Sequence, residues 1–205
     1  MIVIVDYGMG NLRSVLNKLQ RMKTEVVVSS RVDDVKRATK LILPGVGSFD
    51  TGMAHLEEYG LLTLLDAKVT KERTPILGIC LGMQLFAHRS EEGDAAGLGW
   101  IDAEVKRFDF GSNENQLRVP HMGWNTIDIQ RHSTLLEGVP NGSEFYFVHS
   151  YHMTCNRPDV VIATTRYGYD FVSVVNQENI FGTQFHPEKS HQHGMKVLGN
   201  FVETV

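Results

Sequence analysis

Short apolar segments alternate with amphipathic ones through the first half of the chain, and this alternation limits the fold more than any other feature. Residues 2–5 and 75–79 are short, apolar and bounded, as buried strands are, whereas residues 11–22 repeat leucine and valine at helical spacing. Further strands are predicted at 25–29 and 40–43, and further helices at 32–38, 49–56, 61–69 and directly after Cys80. Strands that alternate with helices form βαβ units, in which helices cover both faces of a parallel sheet.

After about residue 95 the pattern changes to strands with few helices between them. The predicted strands are 100–108, 125–129, 144–149, 160–165, 171–176 and 180–185, and a last helix is predicted at about 193–202. Without crossover helices we expect antiparallel pairing in this half. The sequence contains no repeat or linker, so it predicts one α/β domain over residues 1–205. Its central sheet is flavodoxin-like, mostly parallel and flanked by helices, with additional antiparallel strands in the second half.

Charge and composition argue against several classes of protein. The 205 residues carry a formal net charge of −4, which gives no electrostatic case for binding nucleic acid. No apolar run approaches the roughly 20 residues of a membrane-spanning helix, and the first residues lack the basic start of a signal peptide. Two cysteines are too few for a disulfide framework, so we expect a cytoplasmic protein with reduced thiols.

Cys80 lies between two glycines where the buried strand is predicted to turn into a helix. The segment Gly78-Ile79-Cys80-Leu81-Gly82 parallels the G-x-S-x-G elbow, in which a sharp turn exposes a nucleophile. Glycines suit the crowded backbone of such a turn, and a helix N-terminus favours the thiolate that attacks. The N–H of Leu81 would point to where an oxyanion forms. The alternative is a buried structural cysteine beside packing glycines, and Cys155, which has no such setting, is interpreted in that way.

A base and a group to orient it occur together in Phe185-His186-Pro187-Glu188. Residues i and i+2 of an extended chain face the same way, so Glu188 can bind one imidazole nitrogen of His186 and leave the other for Cys80. The fold must bring Cys80 and His186 together, because they are far apart in the sequence. The competing interpretation is a metal site, because His191 and His193 follow closely. The remaining histidines, at 55, 88, 121, 132, 149 and 152, are assigned surface or core roles.

Two glycine-rich loops follow predicted strands. Residues 6–13 begin like a dinucleotide-binding fingerprint, but Arg13 stands where the third glycine belongs, which argues against a nucleotide site. Residues 44–49 also depart from that fingerprint, and their glycines suit a loop whose peptide unit flips or approaches a ligand closely. Parallel strands end at one edge of the sheet, where ligands bind in open α/β folds, so we expect this loop beside Cys80.

Together these segments resemble the class I, or triad, glutamine amidotransferases. The shared motifs are Pro44-Gly45-Val46-Gly47, Gly78-Ile79-Cys80-Leu81-Gly82-Met83-Gln84 and His186-Pro187-Glu188, in the family's order and across nearly the whole chain. The resemblance implies a catalytic triad of Cys80, His186 and Glu188. It implies an oxyanion hole at Gly45, Val46, Gly47 and Leu81, and glutamine binding by Gln84, Glu92, Ser150 and Tyr151. It implies no metal and no organic cofactor.

Three more segments resemble, more narrowly, the glutaminase subunits of imidazole glycerol phosphate synthases, which act in histidine biosynthesis. These segments are Asp6-Tyr7-Gly8-Met9-Gly10-Asn11, Pro120-His121-Met122-Gly123-Trp124-Asn125 and Phe145-Tyr146-Phe147-Val148-His149-Ser150-Tyr151. The resemblance implies a heterodimer with a (β/α)₈-barrel cyclase, which receives ammonia through a channel and makes imidazole glycerol phosphate and AICAR. It places Asn11, Trp124, Tyr146 and Lys189 at the interface, although aromatic residues between strands are more often core. It also implies that the oxyanion loop becomes competent, by a peptide flip at residues 45–47, only when partner and nucleotide substrate are bound.

Three alternatives stay open at this point. The glutaminase subunits for anthranilate, guanylate and pyridoxal phosphate synthesis share the triad but match the Trp124 segment less well. A catalytically silent binding module would be expected to have a degraded triad. A cysteine hydrolase acting on peptides or small amides would not need Gln84 or the segment around Trp124. The complete set of motifs therefore favours a glutaminase that releases ammonia through a glutamyl thioester on Cys80.

Overall fold

The alternation of strands and helices in the first half builds most of one large sheet. A computed structural model describes residues 1–111 and 117–203. The elements of the first half are β1 (Ile2–Val5), α1 (Leu12–Arg21), β2 (Val26–Ser29), α2 (Val32–Arg37), β3 (Lys40–Gly45), α3 (Phe49–Glu58), α4 (Leu62–Asp66), β4 (Ile76–Cys80) and α5 (Leu81–Gln84). The predicted helix 61–69 is shorter than expected, because after α4 the chain forms one π-helical turn, Ala67–Lys71.

Short strands dominate the second half, as the pattern predicts. They are β5 (Arg89–Ser90), β6 (Ala103–Arg107), β7 (His121–Thr126), β8 (Asp128–Ile129), β9 (Glu144–His149), β10 (Tyr151–Cys155), β11 (Val161–Tyr167), β12 (Tyr169–Gln177) and β13 (Ile180–Thr183), followed by α6 (His191–Glu203). Among the connections between them that the structure describes are the 3₁₀ turns Thr134–Leu136, Pro158–Val160 and Pro187–Lys189.

The central sheet has eight strands in the order β2-β1-β3-β4-β13-β12-β11-β8. The first five run parallel, and the last three are added antiparallel. This arrangement confirms the predicted α/β class and the antiparallel character of the second half. β4 and β13 are buried along their whole length, as strands in the middle of a doubly covered sheet are.

Two apolar clusters form the core, one on each face of this sheet. Successive residues of β1 alternate between them, with Val3 and Val5 in one cluster and Ile2 and Ile4 in the other. Helices α3 and α4 contribute to the first cluster, and helices α1 and α6 to the second. Among the described residues, no helix has both the length and the apolar character needed to cross a membrane.

Two smaller sheets stand beside the large one, with strand orders β10-β6-β5 and β7-β9. The prediction of one strand over 125–129 is wrong at this point. The chain leaves β7 at Thr126, and β8 pairs with β11 of the large sheet instead. Ile127, between them, is buried and donates its N–H to the carbonyl of Ser143. A buried apolar anchor therefore divides the segment between two sheets.

Candidate active site

Cys80 occupies a strained elbow between β4 and α5. Its backbone has φ 55° and ψ −112°, a conformation that costs a residue with a side chain on the order of 1–3 kcal/mol. The turn is tight enough that a Cβ on Gly82 would lie 1.7 Å from the carbonyl oxygen of Leu43. The expected need for glycine at this elbow is therefore confirmed. The thiol is free and 7% of the residue remains exposed.

His186 and Glu188 form a buried pair directly after β13. The imidazole Nδ1 and Glu188 Oε1 are 2.8 Å apart, and each side chain is only 2% exposed. Burial lowers the pKa of His186, but hydrogen bonding and charge attraction to Cys80 and Glu188 outweigh it and raise that pKa to about 10. The other ring nitrogen, Nε2, is buried without a well-formed hydrogen bond to any described residue. His186 thus interacts with the thiol in a geometry that falls short of an ideal hydrogen bond.

One cavity of about 250 Å³ joins these groups. It is lined by Cys80 and His186, by the predicted oxyanion residues Val46, Gly47 and Leu81, and by the predicted glutamine-binding residues Gln84, Glu92, Ser150 and Tyr151. Gly45 lies just outside it, paired with Cys80 in the register of β3 and β4. A larger cleft of about 640 Å³ runs beside Trp124, but neither Cys80 nor His186 lines it.

The loop after β3 borders the thiol, as expected from its place at the end of a parallel strand. Gly47 has φ +129°, a conformation that a side chain rarely adopts, and a Cβ there would lie 2.6 Å from Met9 Cε. The Val46 side chain is half exposed. The first glycine-rich loop, which contains Met9, therefore packs against this loop, and Asn11 at its end caps α1 by accepting the N–H of Ser14 at 3.3 Å.

Polar groups of the cavity wall are held by specific hydrogen bonds. Gln84 Nε2 donates to the carbonyl of Tyr151 at 2.9 Å. Glu92 accepts the N–H of Phe49 at 2.8 Å. Burial raises the pKa of Glu92, the bond from Phe49 opposes this, and nearby Asp50 raises it further. The wall thus presents one amide and one carboxyl group in fixed positions.

Two polar side chains near the thiol escaped sequence reasoning. Gln184 is fully buried, and its Nε2 lies 3.6 Å from Cys80 Sγ. His149 lines the cavity and donates from Nδ1 to the Tyr151 carbonyl at 2.8 Å, while its Nε2 lies 3.0 Å from Nδ1 of His121. The predicted core role holds for His149, which is buried and hydrogen-bonded, and the structure adds its place in the cavity wall. The sequence signal that could have indicated a role for Gln184 is its amide side chain within the predicted apolar strand 180–185.

Burial favours the neutral form of both histidines, His121 and His149. Burial lowers the pKa of His121 to about 4. Burial also lowers the pKa of His149 well below its usual value, although its bond to Tyr151 opposes this, and neighbouring His121, His152 and His186 lower it further. Each ring can therefore donate from one nitrogen and accept at the other.

Three of the four residues predicted for an interface, Trp124, Tyr146 and Lys189, lie together with His191, and we define these four as the exposed aromatic patch. Asn11, the fourth predicted interface residue, caps α1 and is not part of this patch. Trp124 is 45% exposed and stacks on His191 with ring centroids 4.8 Å apart and an interplanar angle of 9°. Tyr146 lies edge-on to Trp124 at 6.1 Å, and Lys189 Nζ lies 5.4 Å from the centre of the Tyr146 ring. The core interpretation of Trp124 is therefore wrong.

The metal interpretation of the histidine cluster finds no support in this geometry. Glu188 is bonded to His186 and His191 is stacked on Trp124. Over residues 1–111 and 117–203, no three His, Cys, Asp or Glu side chains converge in a way that could hold a metal ion.

Comparisons with known proteins find relatives along the whole chain. The family model described as glutamine amidotransferase class-I matches residues 3–205. A protein of Pseudomonas aeruginosa named imidazole glycerol phosphate synthase subunit HisH 2 is 47% identical over 205 residues and covers all of both chains. A protein of the same name from Methanococcus maripaludis is 46% identical over 203 residues, 99% of each chain.

Solved structures with lower identity share the fold. A putative GMP synthase protein from Thermoplasma acidophilum superposes with a TM-score of 0.70 at 21% identity, covering 98% of this chain and 91% of that one. The glutaminase domain of a Trypanosoma brucei CTPS with bound acivicin gives a TM-score of 0.67 at 15% identity, covering 98% and 92%.

Proposed function

The chain belongs to the class-I glutamine amidotransferase family, and we propose that it is the glutaminase subunit of an imidazole glycerol phosphate synthase in histidine biosynthesis. Residues 1–205 then form one amidotransferase domain of type 1. The observation that carries the proposal is the cavity in which Cys80 and His186, with Glu188 behind it, meet the residues expected to bind glutamine.

The first half of the reaction makes a thioester and frees ammonia. The Cys80 thiolate attacks the side-chain amide carbon of glutamine, and the carbonyl oxygen becomes an oxyanion. The Leu81 N–H and the loop at Gly45, Val46 and Gly47 stabilise that oxyanion. Loss of one hydrogen-bond donor from an oxyanion hole lowers the rate by about 10²–10³-fold. His186 gives its proton to the nitrogen, the carbon–nitrogen bond breaks, and ammonia leaves.

The second half returns the enzyme to its starting state. Water gives a proton to His186 and adds to the thioester carbon, the carbon–sulfur bond breaks, and glutamate leaves with Cys80 as thiolate. Glu188 keeps a proton on Nδ1 through the 2.8 Å bond, so that Nε2 is the nitrogen that exchanges protons. Positioned proton transfer of this kind contributes about 10²–10⁴-fold.

The cavity wall supports glutamine as the substrate. Both N–H bonds of the Gln84 amide are used within the protein, one to Tyr151 and one to Gln184 Oε1 at 2.9 Å. The Gln84 carbonyl oxygen therefore remains to accept a hydrogen bond from the substrate. The Glu92 carboxyl group suits the ammonium group of an amino acid, and the backbone of Ser150 and Tyr151 completes the site.

The proposed partner is a (β/α)₈-barrel cyclase subunit. The relatives' names describe one subunit of a synthase, which supports a heteromeric complex. The exposed aromatic patch and Asn11 are the proposed contact, and ammonia passes from Cys80 to the cyclase without entering solvent. We place the complex in the cytoplasm, since both cysteines are free, as expected in a reducing compartment.

A glutaminase assay tests this function. Glutamate release is measured for the chain alone, with the barrel cyclase, and with cyclase and its nucleotide substrate. The proposal expects slow release alone and a large increase with both additions. Full activation by an anthranilate or guanylate synthase partner, but not by the cyclase, would assign the chain to another amidotransferase.

A further inference from the structure

Gln184 contacts the nucleophile, and no step of the mechanism above uses it. The residue is fully buried directly after β13, and its Nε2 lies 3.6 Å from Cys80 Sγ. Besides His186, the Val148 carbonyl lies near the thiol, at 3.8 Å, and it can only accept a hydrogen bond. Val148 therefore suits the protonated thiol, whereas a donor at Gln184 suits the thiolate.

Backbone groups decide which end of the Gln184 amide faces the sulfur. The carbonyl of Tyr151 accepts only, so the Gln84 atom bonded to it at 2.9 Å must be the amide nitrogen. That same nitrogen lies 2.9 Å from Gln184, and the Gln184 atom facing it must be an acceptor, Oε1. The remaining atom of the amide, which faces Cys80, is then the donor Nε2.

The Tyr151 carbonyl on which this assignment rests is itself held from a second side. His149 donates to it from Nδ1 and accepts from His121 Nδ1 at 3.0 Å, and His121 Nε2 accepts from Asn125 Nδ2 at 3.2 Å. Asn125 cannot turn round, because its Nδ2 also donates to the Arg166 carbonyl and its Oδ1 accepts the N–H of Thr126. Every member of the chain of hydrogen bonds therefore has one direction.

We propose that Gln184 is a further catalytic residue, which donates a hydrogen bond to the Cys80 thiolate and is aimed at it by Gln84. The inference rests on the proposed role of Cys80 as nucleophile. A hydrogen bond to an ion is stronger than one to a neutral group, and here both partners are shielded from water. Gln184 therefore favours the thiolate both before attack and when the thioester releases its sulfur.

The pH dependence of thiol alkylation separates this role from a packing role. Gln184→Met keeps the length of the side chain and removes its donor. Iodoacetamide, which needs no substrate site, is reacted with wild type and variant across pH, and modification is measured separately on the Cys80 and Cys155 peptides. The midpoint of the Cys80 profile is expected to rise by about one pH unit, so that alkylation near neutral pH slows by about tenfold. The Cys155 profile serves as the internal control and should not move.

A second variant keeps the test decisive if Gln184→Met fails to fold. Gln84→Met leaves Gln184 in place and removes the group that orients it, so the Cys80 midpoint should move in the same direction by less. A midpoint that stays at the wild-type value in a folded variant of either kind overturns the inference. Glutaminase activity is measured on the wild type with its cyclase and nucleotide substrate. An active wild type whose variants keep the wild-type midpoint rejects this inference alone, whereas variants with a moved midpoint beside an inactive wild type reject the proposed function alone.

Discussion

The backbone N–H of His186 donates a hydrogen bond to the carbonyl of Tyr146 at 2.9 Å. Ser190 closes the link, because its hydroxyl donates to the His186 carbonyl at 2.6 Å and accepts the N–H of Tyr146 at 3.0 Å. Tyr146 belongs to the exposed aromatic patch, and His186 is the proposed base. A contact that moves the patch would therefore act directly on the backbone of the proposed triad.

Trp124 is expected to matter for coupling more than for folding. Trp124→Ala removes a side chain that is already 45% exposed, so the free energy of unfolding should change by about 1 kcal/mol or less, while activation of the glutaminase by the cyclase should fall. Val32→Ala, at a side chain 39% exposed on α2, is the matched control and should leave activation unchanged. Unchanged activation with a large loss of melting temperature would show that Trp124 is structural.

Glu188 is expected to act through the tautomer of His186. Glu188→Gln keeps the size of the side chain but can present a donor to Nδ1, so kcat should fall by about 10²–10⁴ with little change in KM. The chain offers a control in the exposed pair His132–Glu137, whose atoms are 3.0 Å apart. Glu137→Gln should leave kcat as it is, and an equal loss in both variants would reject the assigned role.

Acid should weaken the fold through His121. Folding lowers its pKa from 6.5 to about 4, chiefly by burial, so the folded state resists a proton that the unfolded state takes up. A histidine with a lowered pKa stabilises the fold above its unfolded pKa, and this contribution is lost as pH falls from about 6.5 towards 4. Urea unfolding at both pH values should show a larger loss for wild type than for His121→Phe. Equal losses in the two proteins would contradict the expectation.

A methyl group added at Gly82 should destabilise the protein, whereas one added at Gly199 in α6 should not. Gly82→Ala places Cβ 1.7 Å from the Leu43 carbonyl oxygen, so the backbone around Cys80 must move, and a destabilisation of more than about 3 kcal/mol is expected. Gly199→Ala lies within α6, where the nearest atom outside the helix to a new Cβ is Met22 Cε at 4.0 Å. That variant should be stabilised by about 0.4–1 kcal/mol. Comparable unfolding midpoints for both variants would refute the close-approach argument.

Residues within short motifs were predictable because their chemistry and local geometry coincide. Gly78 to Gly82 give the elbow, and the spacing of His186 and Glu188 gives a pair that the structure holds at 2.8 Å. Parallel strands then bring the loop at Gly45 to the thiol by register alone. The central sheet was predictable because short apolar segments alternate with segments of helical spacing along the sequence.

Features that depend on distant partners were not predictable. Gln184 reads as one polar residue in an apolar strand, and its role depends on Cys80 and Gln84, which lie on another strand and helix. In the sequence, His149 is only one inward-facing position of a predicted strand, and its hydrogen bond to His121 becomes evident only when the pairing of β7 with β9 is known. The strand-like segment is divided at Ile127 because the residues before it pair with β9 and those after it pair with β11 of the large sheet. Pairing across the fold decides each case.

Trapping of the nucleophile by a glutamine-mimicking alkylator tests the central claim most directly. The protein in complex with its cyclase is treated with the alkylator, with and without excess glutamine, and the modified peptides are identified by mass spectrometry. We predict modification of Cys80, protection by glutamine, and loss of labelling in Cys80→Ala. Modification of Cys155 with Cys80 untouched, or labelling of Cys80 that glutamine does not reduce, would contradict the account.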